Sequence, residues 1–75
     1  RGARMIGSQI AKLRRENGMR QAELAKLIHI SPSAVGIYEQ GRRTPSLDIV
    51  VRLMQVFGVT ADFLLANTTT ANHTY

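Results

Sequence analysis

The chain has 75 residues, of which 20% are charged, and a formal net charge of +5. A chain this short forms one domain with a thin core, since it buries only about 60% of the surface that its unfolded state exposes. It has no cysteine, which excludes disulfides, zinc–thiolate sites and thiol catalysis. No apolar run approaches the ~18 residues of a membrane span. His29 and His73 stand far apart without a paired carboxylate, so no metal site is predicted.

The positive charge is concentrated in the first 43 residues. That part has nine Lys or Arg residues against three Glu, whereas residues 44–75 have Arg52 against Asp48 and Asp62. A basic half of this kind is typical of nucleic-acid binding. A solvated basic surface without a partner is the alternative that charge alone leaves open.

Two helices are predicted in the first thirty residues. Apolar residues recur at helical spacing in the segment IGSQIAKLRRENG, and Gly18 follows where a helix often ends. These apolar residues are Ile6, Ile10 and Leu13. The next segment, RQAELAKLIHI, has a single apolar stripe, formed by Leu24, Ala25 and Ile28. Each stripe predicts one face turned to a core.

Three further helices are predicted between residues 31 and 65. Ser31 is a good N-cap and Pro32 a good first residue for a helix over 32–40, closed by Gly41. Ser46 caps LDIVVRLMQVF, and Thr60 caps the short ADFLLA. The core face of the fourth helix is predicted to comprise Leu47, Val50, Leu53, Met54 and Phe57. The sequence thus predicts an all-α domain.

Helices 2 and 3 are joined by the tight connection HIS, an arrangement that matches a helix-turn-helix. RQAELAKLIHISPSAVGIYEQGRRTPS followed by LDIVVRLMQVFGVTADFLL resembles the lambda-repressor/Cro type of DNA-binding domain. The residues that carry the likeness are Gln21, Leu24, Ala25, Val35, Glu39, Gly41, Arg43 and Pro45. The resemblance covers residues 6–65 and implies a compact five-helix lambda-repressor-like domain with helices 2 and 3 as the helix-turn-helix, between flexible ends at 1–5 and 66–75. It also implies a cytoplasmic, bacterial or phage transcription regulator, in particular a repressor, that binds double-stranded DNA.

The same resemblance implies roles for polar residues around helix 3. The residues expected at DNA phosphates are Gln21, Arg14, Arg20, Gln40, Arg42 and Arg43. Arg14 and Glu39 match a pair that, in related domains, ties helix 1 to the end of helix 3. Arg20 replaces the usual Thr, Ser or Asn before helix 2, so we expect that N-cap to be lost. His29 stands where the family favours Gly in the turn, which predicts a positive φ.

The positions that face DNA bases in the family correspond to Pro32, Ser33, Ala34, Gly36 and Ile37. None is the Arg, Lys, Gln or Asn that makes bidentate contacts to bases. We therefore expect sparse hydrogen bonding to bases and a larger part for DNA shape and half-site spacing. A glycine inside a helix costs about 1 kcal/mol relative to alanine. Gly36 is explained either by close approach to the groove or by simple tolerance.

An extra apolar stripe on helix 4 predicts a dimer. Ile49 and Val56 lie seven residues apart, outside the predicted core face, and Val51 is also surplus. Because related regulators pair through their last helices, we predict a homodimer through Ile49, Val56, Ala61 and Leu65. On an inverted repeat it would place two recognition helices roughly 34 Å apart. The alternative is that the C-terminal tail or a further domain covers these residues.

Catalysis is not predicted. No His and carboxylate form a plausible relay with a serine, and no Gly-rich phosphate loop precedes a lysine. Neither a cofactor nor a small-molecule ligand is expected. The competing hypothesis is an antitoxin or adaptor module, in which the helix 3 surface, with Ile37 on it, binds a partner protein.

Overall fold

The computed structural model describes residues 2–65, with side chains from Met5 onward. Over this range it has five helices and no strand. They are α1 (Gly2–Glu16), α2 (Gln21–Leu27), α3 (Pro32–Glu39), α4 (Leu47–Phe57) and α5 (Ala61–Leu64). The predicted all-α, five-helix architecture is confirmed.

All five helices contribute to one apolar core. Its buried members are Ile6, Ile10, Leu13, Leu24, Ala25, Ile28, Val35, Ile49, Leu53 and Leu64. Burying one such large side chain stabilises the fold by about 1.5–3 kcal/mol relative to leaving it exposed. Helix α3 packs against both α1 and α2, and α5 packs against α1 and α4. Because α1 and α2 both pack against its inner side, the orientation of α3 relative to the rest of the domain is fixed.

Three helices begin at the hydroxyl caps that the sequence predicts. Ser31, Ser46 and Thr60 each accept a hydrogen bond from the backbone N–H three residues further on, at 3.1, 3.4 and 3.1 Å. Each bond satisfies one of the N–H groups that have no partner within the helix at its start, and it stabilises the fold by about 1 kcal/mol. The local signals therefore fix where α3, α4 and α5 begin.

The start of α2 differs from the expectation that its cap is lost. The Arg20 side chain makes no capping hydrogen bond, but its backbone N–H donates to Glu23 Oε1 at 2.7 Å. This bond is the reciprocal half of a capping box, and the spacing from Arg20 to Glu23 could have predicted it. The cap is thus half retained, and the side chain of Arg20 stays exposed.

Two helix boundaries also differ from the predictions. Helix α1 begins at Gly2, so residues 2–5, which were assigned to a flexible end, are helical. Residues 2–4 include no large apolar residue, so apolar periodicity could not predict this extension of the helix. Helix α3 ends at Glu39, with Gln40 as its C-cap, one residue earlier than predicted. The flexible end predicted for 66–75 lies outside the described residues.

Helix α4 turns most of its predicted face to the core, since Leu53 is buried and Val50, Met54 and Phe57 pack against the core, but two residues differ from the prediction. Leu47, expected in the core, is 77% exposed, whereas Ile49, expected at an interface, is 7% exposed. Leu53, one turn after Ile49, is buried with it, and Val51 is 41% exposed. The segment LDIVVRLMQVF has so many apolar positions that periodicity could not separate Leu47 from Ile49. Ile49 is therefore a core residue of the single chain.

The turn between α2 and α3 is held by its own backbone conformation and by a hydrogen bond from α4. His29 has φ 60°, as its place in the turn predicts. Nη1 of Arg52 on α4 donates to the Ile28 carbonyl at 3.0 Å, which satisfies one of the acceptors left free at the end of α2. Arg52, the positive charge of residues 44–75, thus links α4 to the turn of the helix-turn-helix.

Candidate nucleic-acid interface

The outer face of α3 is uncharged and, apart from Ile37, consists of small residues. Pro32 and Ser33 are exposed, and Gly36 and Ile37 are half-buried. Because the second pair follows the first by four residues, all four lie on one side of the helix, away from the buried Val35. Ala34, half-buried, lies beside them. The structure thus brings the predicted base-facing residues to one surface.

A hydrogen-bonded cluster at the end of α3 joins three helices. Nε and Nη2 of Arg14 donate to Oε2 and Oε1 of Glu39 at 2.6 and 3.2 Å, a bidentate ion pair. Nε2 of Gln21 donates to the same Oε1 at 3.0 Å. The Arg14 and Glu39 side chains are only 11% and 7% exposed. The pair that the resemblance implies is therefore present, with Gln21 as a third member.

Arg14 is largely committed to the protein. Its Nη1 donates to the Met19 carbonyl at 2.8 Å, so all three guanidinium nitrogens donate internally. The side chain consequently holds α1, the turn after α1 and the last residue of α3 in one arrangement. A phosphate contact by Arg14 stays a prediction, and 11% of the side chain is exposed to make one.

The chain leaves α3 through a hydrogen-bonded turn. Gly41 has φ 75°, and its N–H donates to the Tyr38 carbonyl at 3.0 Å. The N–H of Arg42 donates to the Ile37 carbonyl at 3.1 Å. These two bonds form a Schellman motif, which needs a left-handed residue at the glycine position. The path of the loop is therefore set by α3 itself.

The loop presents its cations to solvent. Arg42 and Arg43 are exposed, and buried Pro45 anchors the loop behind them. Nη1 of Arg42 donates to Oε1 of the exposed Gln40 at 3.4 Å. Arg20, which directly precedes α2, is also exposed. Five of the six predicted phosphate-contacting residues thus have accessible side chains, and Arg14 is the exception.

Two residues of α1 that were not predicted from the sequence determine how α1 packs against α3 and α5. A Cβ on Gly7 would come within 2.2 Å of the Tyr38 carbonyl oxygen and 2.8 Å of that of Glu39, so glycine lets α1 lie against the last turn of α3. Gln9 is 7% exposed, and its Nε2 donates to the Phe63 carbonyl at 3.1 Å. The available signals were a glycine inside a predicted helix and a glutamine on the apolar stripe of α1.

The predicted dimer residues are mostly drawn into the domain. Besides the buried Ile49, Val56 and Leu65 pack against the core and Ala61 is half-buried. The large apolar side chains that α4 and α5 expose are Leu47, Val51 and Phe63, at 77%, 41% and 48%.

Within residues 2–65, no helix is long and apolar enough to cross a membrane, and no group of three acidic, His or Cys residues could hold a metal ion.

A comparison with families of known proteins matches residues 10–64 to the family described as Helix-turn-helix. Over 58 residues the chain is 40% identical to the HTH-type transcriptional regulator RamB of Mycobacterium tuberculosis. That match covers 77% of this chain and 12% of RamB. The chain therefore corresponds to a small part of that longer protein.

Two solved structures superpose closely. The restriction-modification controller protein C.AhdI from Aeromonas hydrophila matches with a TM-score of 0.77 and 29% identity, over 83% of this chain and 94% of that chain. The P22 c2 repressor, solved in complex with a synthetic operator, matches with a TM-score of 0.75 and 25% identity, over 79% of this chain and 89% of that chain. The arrangement of helices is therefore shared with both.

Proposed function

Because the chain belongs to the helix-turn-helix family of DNA-binding transcription regulators, and so has the predicted lambda-repressor-like fold, we propose that it binds specific DNA sites and represses transcription. In this proposal α3 enters the major groove of double-stranded DNA in the cytoplasm. The observation that carries the proposal is the outer face of α3, free of large or acidic exposed side chains and flanked by exposed arginines.

The geometry of this face fits a groove that admits one α-helix. Pro32, Ser33 and Gly36 are small enough to let the helix lie deep. Arg20 before α2 and Arg42 and Arg43 after α3 would then face phosphates beside the groove. Ser33 can bond to a base edge, and Ile37 can pack on a thymine methyl group. Sequence choice would rest mainly on DNA shape and deformability.

The function is tested by selecting bound duplexes from a random-sequence DNA pool at near-physiological salt. We expect an enriched inverted repeat whose half-sites lie about one helical turn apart. Retention without an enriched sequence would contradict sequence-specific regulation. That result would favour the alternative hypothesis, an antitoxin or adaptor module whose α3 surface binds a partner protein.

Replacing Arg43 by alanine should weaken binding nearly equally on all DNA sequences. Each lost phosphate contact lowers the slope of log affinity against log salt concentration by about 0.9. The slope is measured by titration at several salt concentrations. Lys12→Ala is the matched control, because Lys12 is an exposed cation on α1 that we expect away from DNA. Equal slopes for the two variants would remove the loop after α3 from the interface.

We further propose that the regulator is a homodimer, with an interface centred on Leu47 and Val51 of α4. Phe63 lies on α5, which packs against α4, and all three side chains are exposed. Exposed apolar residues on neighbouring helices of a small domain favour an interface. The half-buried residues Val56, Ala61 and Leu65 would lie around it. This surface replaces the one that included Ile49.

Val51→Lys should produce monomers and weaken operator binding by at least about tenfold, since half-site binding loses its coupling. Val51 is 41% exposed, so the change spares the core, and sedimentation velocity measures the association state. Ser8→Lys, which adds the same charge at an exposed position of α1, should leave the dimer intact. An unchanged sedimentation coefficient for Val51→Lys would place the interface elsewhere.

A further inference from the structure

The recognition helix lacks the side chains that usually read bases. None of its five predicted base-facing residues, Pro32, Ser33, Ala34, Gly36 and Ile37, has a carboxamide or a guanidinium. At position 36 it has no side chain at all. A bidentate reader must therefore come from outside these five residues.

The carboxamide of Gln21 lies beside this gap. A Cβ built on Gly36 would have Gln21 Nε2 at 3.7 Å and Oε1 at 3.9 Å as its nearest neighbours. Both distances are ordinary van der Waals contacts. Gln21 is the first residue of α2, yet its amide reaches across to the face of α3 where a longer side chain at position 36 would begin.

Glu39 holds that amide in place. Gln21 Nε2 donates to Glu39 Oε1 at 3.0 Å, and Glu39 is itself fixed by the bidentate contact from Arg14. One N–H of the Gln21 amide is used in this way. The second N–H and the carbonyl oxygen have no partner within residues 2–65, and Gln21 is exposed. A donor and an acceptor thus remain side by side on an oriented group.

From these contacts we infer that Gln21 is a specificity-determining residue whose carboxamide reads one base pair across the gap at Gly36. The inference rests on the proposed binding of α3 in the major groove. Adenine offers an acceptor at N7 and a donor at N6 there, which a glutamine amide matches with one donor and one acceptor. A side chain longer than alanine at position 36 would extend from a Cβ that already touches the amide, and would compete with it for the same space.

A phosphate contact, the role that the resemblance implies for Gln21, makes a different demand. Phosphate oxygens only accept hydrogen bonds, so a phosphate would use the free N–H and leave the carbonyl oxygen unused. Such a contact positions the protein but gives no preference among bases. The two roles therefore differ in the selected sequence and not merely in affinity.

The test is to select DNA from a random pool with the full chain and with the Gln21→Ala variant. We expect the full chain to prefer adenine at one position of each half-site by about 10- to 100-fold. Gln21→Ala should lose that preference and retain the others. Gly36→Val, which displaces the amide without removing it, should affect the same position. Arg43→Ala is the control that should lower affinity and leave every preference unchanged.

The outcomes separate the two proposals. Selection of the same sequence by Gln21→Ala at lower affinity would overturn the base-reading role and leave a backbone contact. A full chain that selects no sequence at all would overturn the proposed function itself, and the inference with it. Circular dichroism of each variant establishes that its helices are formed before selection.

Discussion

Replacement of Glu39 by alanine is expected to lower the free energy of unfolding by about 3–5 kcal/mol. Removing one partner of a buried ion pair leaves the other charge desolvated and unpaired, and Arg14 and Glu39 are only 11% and 7% exposed. Glu39 also accepts a hydrogen bond from Gln21, so its loss leaves three N–H donors on two side chains without their acceptor. A domain of this size has a total stability of about 3–10 kcal/mol. The variant should therefore be close to unfolding at room temperature.

Urea denaturation of the variants measures this effect. Glu16→Ala is the control, because Glu16 is an exposed carboxylate at the end of α1, where its loss should change stability by less than about 0.5 kcal/mol. Arg14→Ala and the double variant complete a cycle that isolates the coupling between the two side chains. A loss below about 1 kcal/mol for Glu39→Ala would be the behaviour of a solvated surface pair.

Gly7→Ala is expected to destabilise the fold by about 1–3 kcal/mol, although alanine is the better helix former. The new Cβ would lie 2.2 Å from the Tyr38 carbonyl oxygen and 2.8 Å from that of Glu39. Both obstacles are backbone atoms, so relief requires α1 and α3 to move apart, and overpacking of this kind typically costs 1–3 kcal/mol, occasionally more. The helix-propensity gain of up to about 1 kcal/mol works in the opposite direction.

Gly36→Ala is the matched control for Gly7→Ala, because it makes the same change in another helix. Nothing lies nearer than 3.7 Å to its new Cβ, so the propensity gain should appear as a stabilisation of up to about 1 kcal/mol. The midpoint temperature of thermal unfolding should therefore fall for Gly7→Ala and rise for Gly36→Ala. If it rises for both variants, the contact between α1 and α3 tolerates a methyl group, and Gly7 does not determine how the two helices pack.

The sequence predicts the fold well where each segment offers one apolar phase. The stripes of α1 and α2 are correct because most of the remaining positions are polar, although Leu27 of α2 is 51% exposed. Ser31, Ser46 and Thr60 each make the capping bond expected of them. In α4 apolar residues occupy more than one face, and only the tertiary packing selects Ile49 over Leu47. Periodicity has no information about which of two apolar faces meets a partner.

The candidate interface is predictable in outline but not in its contacts. Helical geometry and the resemblance bring the residues on the outer face of α3 together without knowledge of the tertiary structure. The meeting of Gln21 with Gly36 and Glu39 depends on how α2 crosses α3, and that crossing depends on side chains throughout the core. The close approach at Gly7 is likewise a contact between distant parts of the chain, so a glycine inside a predicted helix can signal a close neighbour but cannot identify it.

The Schellman turn at Gly41 has a consequence for the entropy of association. A flexible loop must give up backbone freedom when it binds, at a cost of about 1–2 kcal/mol for each residue that becomes ordered. Here the hydrogen bonds from Gly41 and Arg42 to the last turn of α3, together with buried Pro45, have already ordered the backbone that carries Arg42 and Arg43. Only the rotamers of the two long side chains remain to be restricted, at about 0.5–1.5 kcal/mol each.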